Sequence, residues 1–293
     1  MKAFENYHPL VIFVYLLSVI VISMFTVNPV ILALSLLGGI CFCTILQSRK
    51  SFFSNLAFYI PIFILIAVTN PLFSHNGVTP LFYLNGNPVT LEAVFYGIDI
   101  ALMLTAVIYW CKCYSEIMTE DKFLYLFSRA IPKLSLVLSM SIRFIPLFKT
   151  QIKSISQSQK AMGLYTSKSL VDKLKSGIRV FSSLVTWSLE NAVDTSHSMK
   201  ARGYGLKGRT SFSLFRFRAR DGILLAVSIL LLAATVTGKL RGTLDFAFYP
   251  ITTDISADIS SVITYIAFGI LSFLPFIIEV KENLKWKYYI SKI

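Results

Sequence analysis

Six apolar stretches constrain this chain more than any other feature. They fall roughly at residues 8–26, 29–47, 54–70, 90–111, 221–238 and 257–279. Each approaches the run of about 20 apolar residues that a helix needs to cross a bilayer. The first two are parted only by Asn28-Pro29. Pro29 suits the first turn of a new helix, and the residue before a proline resists helical geometry. A tight helical hairpin is therefore expected, because one kinked helix of about 40 residues is too long for a single crossing. The first stretch is too long for a cleavable signal and has no small-x-small site after it, so it reads as the first span. Composition agrees. The chain is 55% hydrophobic and 15% charged, against about 25% charged in soluble domains. That excludes a disordered or collagen-like chain and argues against an ordinary soluble enzyme.

Lys and Arg set the orientation. Lys2 precedes the first stretch, Arg49 and Lys50 separate the second and third, and residues 71–89 contain neither type. Placing both termini in the cytoplasm puts 26 of the 28 basic residues on the cytoplasmic side. Lys239 and Arg241 are the exceptions. Residues 112–220 hold 19 Lys and Arg against six Asp and Glu, a net charge of +13 that equals that of the whole chain. The basic character belongs to one cytoplasmic insertion. The expected organisation is all-α: membrane helices over 1–111, a helical cytoplasmic domain over 112–220, and membrane helices with a cytoplasmic tail over 221–293.

An insertion of this length needs structure of its own. A short apolar pattern runs from Phe123 to Ala130. Pro132 then opens a long helix that passes through Pro146, where a kink is expected, and ends near Gly163. A second helix is predicted from Asp172 to Arg202. Its apolar positions Ile178, Phe181, Leu184, Val185, Leu189, Val193 and Met199 step by three and four along one face. Gly203 follows, the usual left-handed residue past a helix end, which leaves Arg202 at a helix tip. An arginine at such a tip is either solvated near the favourable end of the helix dipole or a docking group. The basic helix could also lie on anionic lipid. Arg216, Arg218 and Arg220, in the run from Arg209 to Arg220, are expected to anchor the fifth span at the headgroups. Nothing here resembles a nucleic-acid module.

Other chemistry is sparse. There is no phosphate-binding Gly-rich loop, no His-Glu-x-x-His and no nucleophile elbow, so no nucleotide or catalytic site is expected in this chain. His8, His75 and His197 are isolated. Cys41/Cys43 and Cys111/Cys113 form two Cys-x-Cys pairs. They read as small buried thiols facing a reducing cytosol. The alternative is a four-thiolate metal site, although structural zinc sites space their cysteines by two to four residues. Asp99 falls near the middle of the fourth span, where a charge is costly and faces protein or water. Two readings stand for it: a structural contact, or a proton or ion relay.

Two cytoplasmic helices, each closing on an Ala-x-Gly tip, resemble the coupling arms of the transmembrane T component of energy-coupling factor (ECF) transporters, the EcfT/CbiQ-type family. Arg143-Phe144-Ile145-Pro146 is similar to the segment that opens that family's first arm. Ala201-Arg202-Gly203 is similar to the family's second arm tip. The first arm departs: it ends Lys160-Ala161-Met162-Gly163, with Met162 where the family has arginine. The resemblance covers nearly the whole chain. It implies a non-enzymatic subunit of a prokaryotic cell membrane that binds no cofactor itself. Its implied partners are two ABC ATPase subunits, which use ATP, and a small membrane S component that binds a vitamin, metal or similar micronutrient. The unequal tips, Met162 against Arg202, point to two non-identical ATPases. Two other functions fit the composition. One is a self-contained permease or secondary carrier, which needs a polar path that only Asp99, Asn70 and a few hydroxyls offer. The other is a membrane scaffold whose basic domain binds lipid or an acidic partner.

Overall fold

The computed structural model describes residues 3–74, 76–84, 87–163, 170–206, 215–256 and 258–291. Lys2, His75, Arg209 and Lys292 lie outside the described residues. The chain forms two compact units, 1–123 with 215–293, and 124–214. The second lies within the expected insertion.

The first unit is built on α1 (Pro9–Phe25), α2 (Pro29–Leu46), α3 (Arg49–Phe73), α4 (Leu91–Ile117), α8 (Ala219–Leu240) and α9 (Ile259–Ile290). All but α1 are long and apolar enough to cross a membrane. The 17 residues of α1 span about 25 Å at 1.5 Å per residue. The chain breaks between α1 and α2 where Asn28-Pro29 predicts: Asn28 caps α2 by accepting the Val30 N–H at 3.1 Å. Thr90 caps α4 in the same way.

α4 packs against α1, α2 and α3, and α9 against α2 and α8. Trp110, Tyr15, Phe42 and Phe268 fill the shared core without exposure. Their polar atoms are satisfied by other helices. The Tyr15 hydroxyl donates to the Leu271 carbonyl at 2.6 Å, and the Trp110 indole donates to the Ser35 carbonyl and hydroxyl at 3.1 Å. Small residues allow close approach, as membrane helix pairs require. A Cβ on Gly38 would come within 2.9 Å of Ser272, and one on Gly97 within 2.6 Å of the Ala67 carbonyl.

Residues 3–8 are pinned rather than trailing. Phe4 is fully buried, and its N–H donates to the buried Glu279 carboxylate at 2.9 Å. Lys122 donates to the carbonyls of Glu5 and Ile117. The Asp221 carboxylate accepts the N–H groups of His8 and Arg218. The N-terminal residues thus bond both to the chain just beyond α4 and to the chain entering α8. Between α3 and α4, in the stretch without Lys or Arg, lies an antiparallel hairpin, β1 (Pro80–Leu84) and β2 (Asn87–Thr90).

In the second unit, the end of α5 (Glu120–Ala130) leads into α6 (Pro132–Ala161) and α7 (Leu170–Ala201). α6 runs unbroken through Pro146. It packs on α7 partly through aromatics: Phe144 stacks on Phe148, whose ring meets Trp187 edge-on, both at 5.8 Å.

Candidate functional site

The two arm tips are built alike. α7 ends at Ala201, and Gly203 adopts φ +78°. The Gly203 N–H donates to the Lys200 carbonyl at 2.9 Å and the Tyr204 N–H to the Met199 carbonyl at 3.0 Å. That pair of bonds is the Schellman closure of a helix end, and it requires the left-handed glycine. α6 ends at Ala161, Gly163 also has φ +78°, and its N–H donates to the Lys160 carbonyl at 3.0 Å. Met162 and Arg202 therefore occupy the same position, one residue before the left-handed glycine. Both are exposed, Met162 by 67%. Arg202 makes no ion pair among the described residues, and the last carbonyls of each helix add negative potential behind its tip. The geometry presents one cation and one thioether on rigid, solvent-facing ends.

Lys160 and Ala161 lie in the last turn of α6, and both are exposed. Arg143 and Pro146 are exposed and Phe144 half-buried, all within the first half of α6. The Pro146 carbonyl accepts the Thr150 hydroxyl at 3.0 Å.

The apolar stripe that periodicity marks on α7 is largely uncovered. Ile178, Phe181, Leu189 and Val193 are 55–66% exposed. The half-buried positions Val180, Leu184, Trp187 and Asn191 lie on another side of α7, so the helix meets α6 through that side, with Trp187 against Phe148, and leaves the stripe open.

Asp99 is 2% exposed, and its Oδ1 has no hydrogen-bond partner among the described residues. The cysteines do not gather into a four-thiolate site. Cys43 and Cys113 are buried and lie within hydrogen-bonding reach of each other, whereas Cys111 is exposed and Cys41 half-buried. Residues two apart on a helix point about 200° from each other, so the members of a Cys-x-Cys pair cannot share a face. Among the described residues no three His, Cys, Asp or Glu side chains are placed to hold a metal ion. Sequence reasoning missed the pinning role of Phe4, Glu279 and Asp221, which depends on contacts more than 200 residues apart.

Fold and tips together define an all-α, multi-pass membrane protein with a basic pair of helical arms. The chain belongs to the CbiQ family, described as cobalt transport protein, whose profile matches residues 6–212. Its relatives are bacterial energy-coupling factor transporter transmembrane proteins named EcfT. That of Bacillus selenitireducens is 27% identical over 237 residues, covering 76% of this chain and 88% of the relative. That of Listeria innocua is 40% identical over 97 residues, covering 32% of this chain and 37% of the relative. That of Lactococcus lactis subsp. cremoris is 36% identical over 104 residues, covering 35% and 39%. The protein is a transmembrane component of the ECF transporter type.

Proposed function

We propose that this chain is the coupling subunit of an ECF-type importer, joining two ATPase subunits to a substrate-binding S component that takes up a vitamin, metal or similar micronutrient. The observation that carries the reading is the matched pair of arm tips, each a rigid helix end closed by a left-handed glycine. Arg202 would enter a groove of one ATPase and meet a carboxylate there, a charge-assisted contact of fixed geometry. Met162 would fill an apolar pocket of the other, with Lys160 supplying charge nearby. Unequal tips of this kind call for two non-identical ATPases. Closure of the ATPases on ATP would displace the tips, and α6 and α7 would carry the displacement as stiff rods to the membrane partner. The ATP is bound and used by the partners, not by this chain. In this reading α1 is a sixth span, and both termini and the arms are cytoplasmic, as the distribution of Lys and Arg supports.

Arg202→Glu tests the assignment. It is expected to abolish ATPase assembly or uptake while membrane insertion stays intact; normal uptake by the mutant would sink it.

Asp99 favours a second reading, in which the chain carries a proton or ion itself. A buried intramembrane acid is by default a candidate for such a path, and Asp99 Oδ1 has no hydrogen-bond partner among the described residues. Asp99→Asn with transport unchanged at every pH would remove it.

A further inference from the structure

Residues 51–91 contain no Asp, Glu, Lys or Arg. The run takes in nearly all of α3 and continues through β1 and β2. Soluble segments carry charge on about a quarter of their residues, so 41 in succession without any do not read as a loop in bulk water. β1 is also open on both faces. Leu81 is 55% exposed, Phe82 53% and Tyr83 69%, and successive strand residues point to opposite sides. β2 is the one strand paired with it among the described residues, so each strand keeps an outer edge of unpaired N–H and C=O groups. A two-stranded ribbon with so little cover is marginal in water.

Its base is nevertheless firmly held. Glu92, in the first turn of α4 and 3% exposed, accepts the Thr79 hydroxyl at 2.9 Å and the Thr79 N–H at 3.3 Å. The Leu91 N–H donates to the Thr79 carbonyl, and the Thr90 hydroxyl to the Asn76 carbonyl at 2.6 Å. Gly77 has φ +129°, and a Cβ there would come within 2.6 Å of Glu92 Oε2. A buried carboxylate beside a span is costly, and this one is engaged in fixing the hairpin to the end of α4.

Two requirements set the depth. Leu81, Phe82 and Tyr83 disfavour bulk water. The unpaired edges exclude the hydrocarbon, which offers no donors or acceptors. The headgroup boundary meets both, and aromatic side chains collect there. We propose that the β1–β2 hairpin is an interfacial foot, resting Leu81, Phe82 and Tyr83 on lipid at the end where α3 and α4 meet and so fixing the depth of those two spans. The occupant is lipid because α3, the helix that leads into the hairpin, is itself long and apolar enough to cross a membrane and lies largely uncovered, Leu65 by 68% and Phe73 by 81%. The inference stands independently of the coupling role and of which leaflet is involved.

The test uses the full chain, purified and reconstituted alone into phosphatidylethanolamine–phosphatidylglycerol vesicles. Cys41 and Cys111 are replaced by Ala, Cys43 and Cys113 being buried, and Phe82→Cys carries a nitroxide. Collisions with lipid-soluble oxygen should exceed those with a water-soluble nickel chelate and place the label about 5–10 Å into the headgroup boundary. A label at Arg241→Cys, exposed beyond α8, should read as aqueous. Leu81→Asp should move the Phe82 label toward water at unchanged helix content. A Phe82 label that reads as fully aqueous overturns the proposal. So does one shielded from both reagents, which would mean that protein rather than lipid covers the strand.

Discussion

At the scale of single residues, the arm tips depend on glycine. Gly203 sits at φ +78°, where an L side chain costs about 1 kcal/mol or slightly more. Gly203→Ala should open the last turn of α7, speeding hydrogen exchange of the Gly203 and Tyr204 amides about fivefold, the equivalent of that cost. Unchanged exchange would mean that the closure does not hold the tip. Trp110 carries a second residue-scale prediction. Trp110→Phe removes both indole hydrogen bonds to Ser35, whose hydroxyl keeps its bond to Ser23, a loss of about 0.5–1.5 kcal/mol. Thermal unfolding in detergent should register it as a lowered midpoint. The two sites differ in legibility. Gly203 is readable from the sequence because its cause is local, a helix end followed by a glycine. The Trp110–Ser35 bond links positions 75 residues apart, and no local pattern encodes it.

At the scale of elements, apolar length and proline placement announce most of the helices. α2 begins at Pro29, and α6 begins at Pro132, where the proline occupies a first turn that needs no donor. The hairpin is different. Asn85-Gly86 is a strong hairpin signal in the sequence, but the strands beside it are short and lie between two spans, so apolar length does not set them apart. α7 shows another limit. Periodicity reveals that the helix has an apolar face but not what covers it, and in the isolated chain that face is open. Phe181→Ser and Leu189→Ser should therefore change the thermal stability of the isolated chain by less than about 0.5 kcal/mol, as at other exposed sites. A large loss would mean that the stripe is packed against this chain itself. The same substitutions should weaken the assembled complex if a partner covers the stripe, which co-purification with partner subunits would reveal.

At the scale of the whole molecule, charge segregation is the most informative property of the sequence. The +13 of the chain is the +13 of residues 112–220, and a compact unit forms within them at 124–214. What composition could not reveal is how residues 3–8 bond both to the chain leaving α4 and to the chain entering α8, through Lys122 and Asp221. Deleting residues 2–8 should expose the Glu279 carboxylate and destabilise the first unit, seen as a lowered unfolding midpoint with membrane insertion retained. The proposed role of the chain is that of a coupler between subunits. The most direct test is purification of the chain from its native membrane in mild detergent, beside Arg202→Glu, with mass spectrometry of what accompanies each. Two ABC ATPase subunits and a small multi-span protein are expected with the unaltered chain, and loss of at least one ATPase with Arg202→Glu. Recovery of the unaltered chain alone, correctly inserted, would contradict it and turn attention to Asp99.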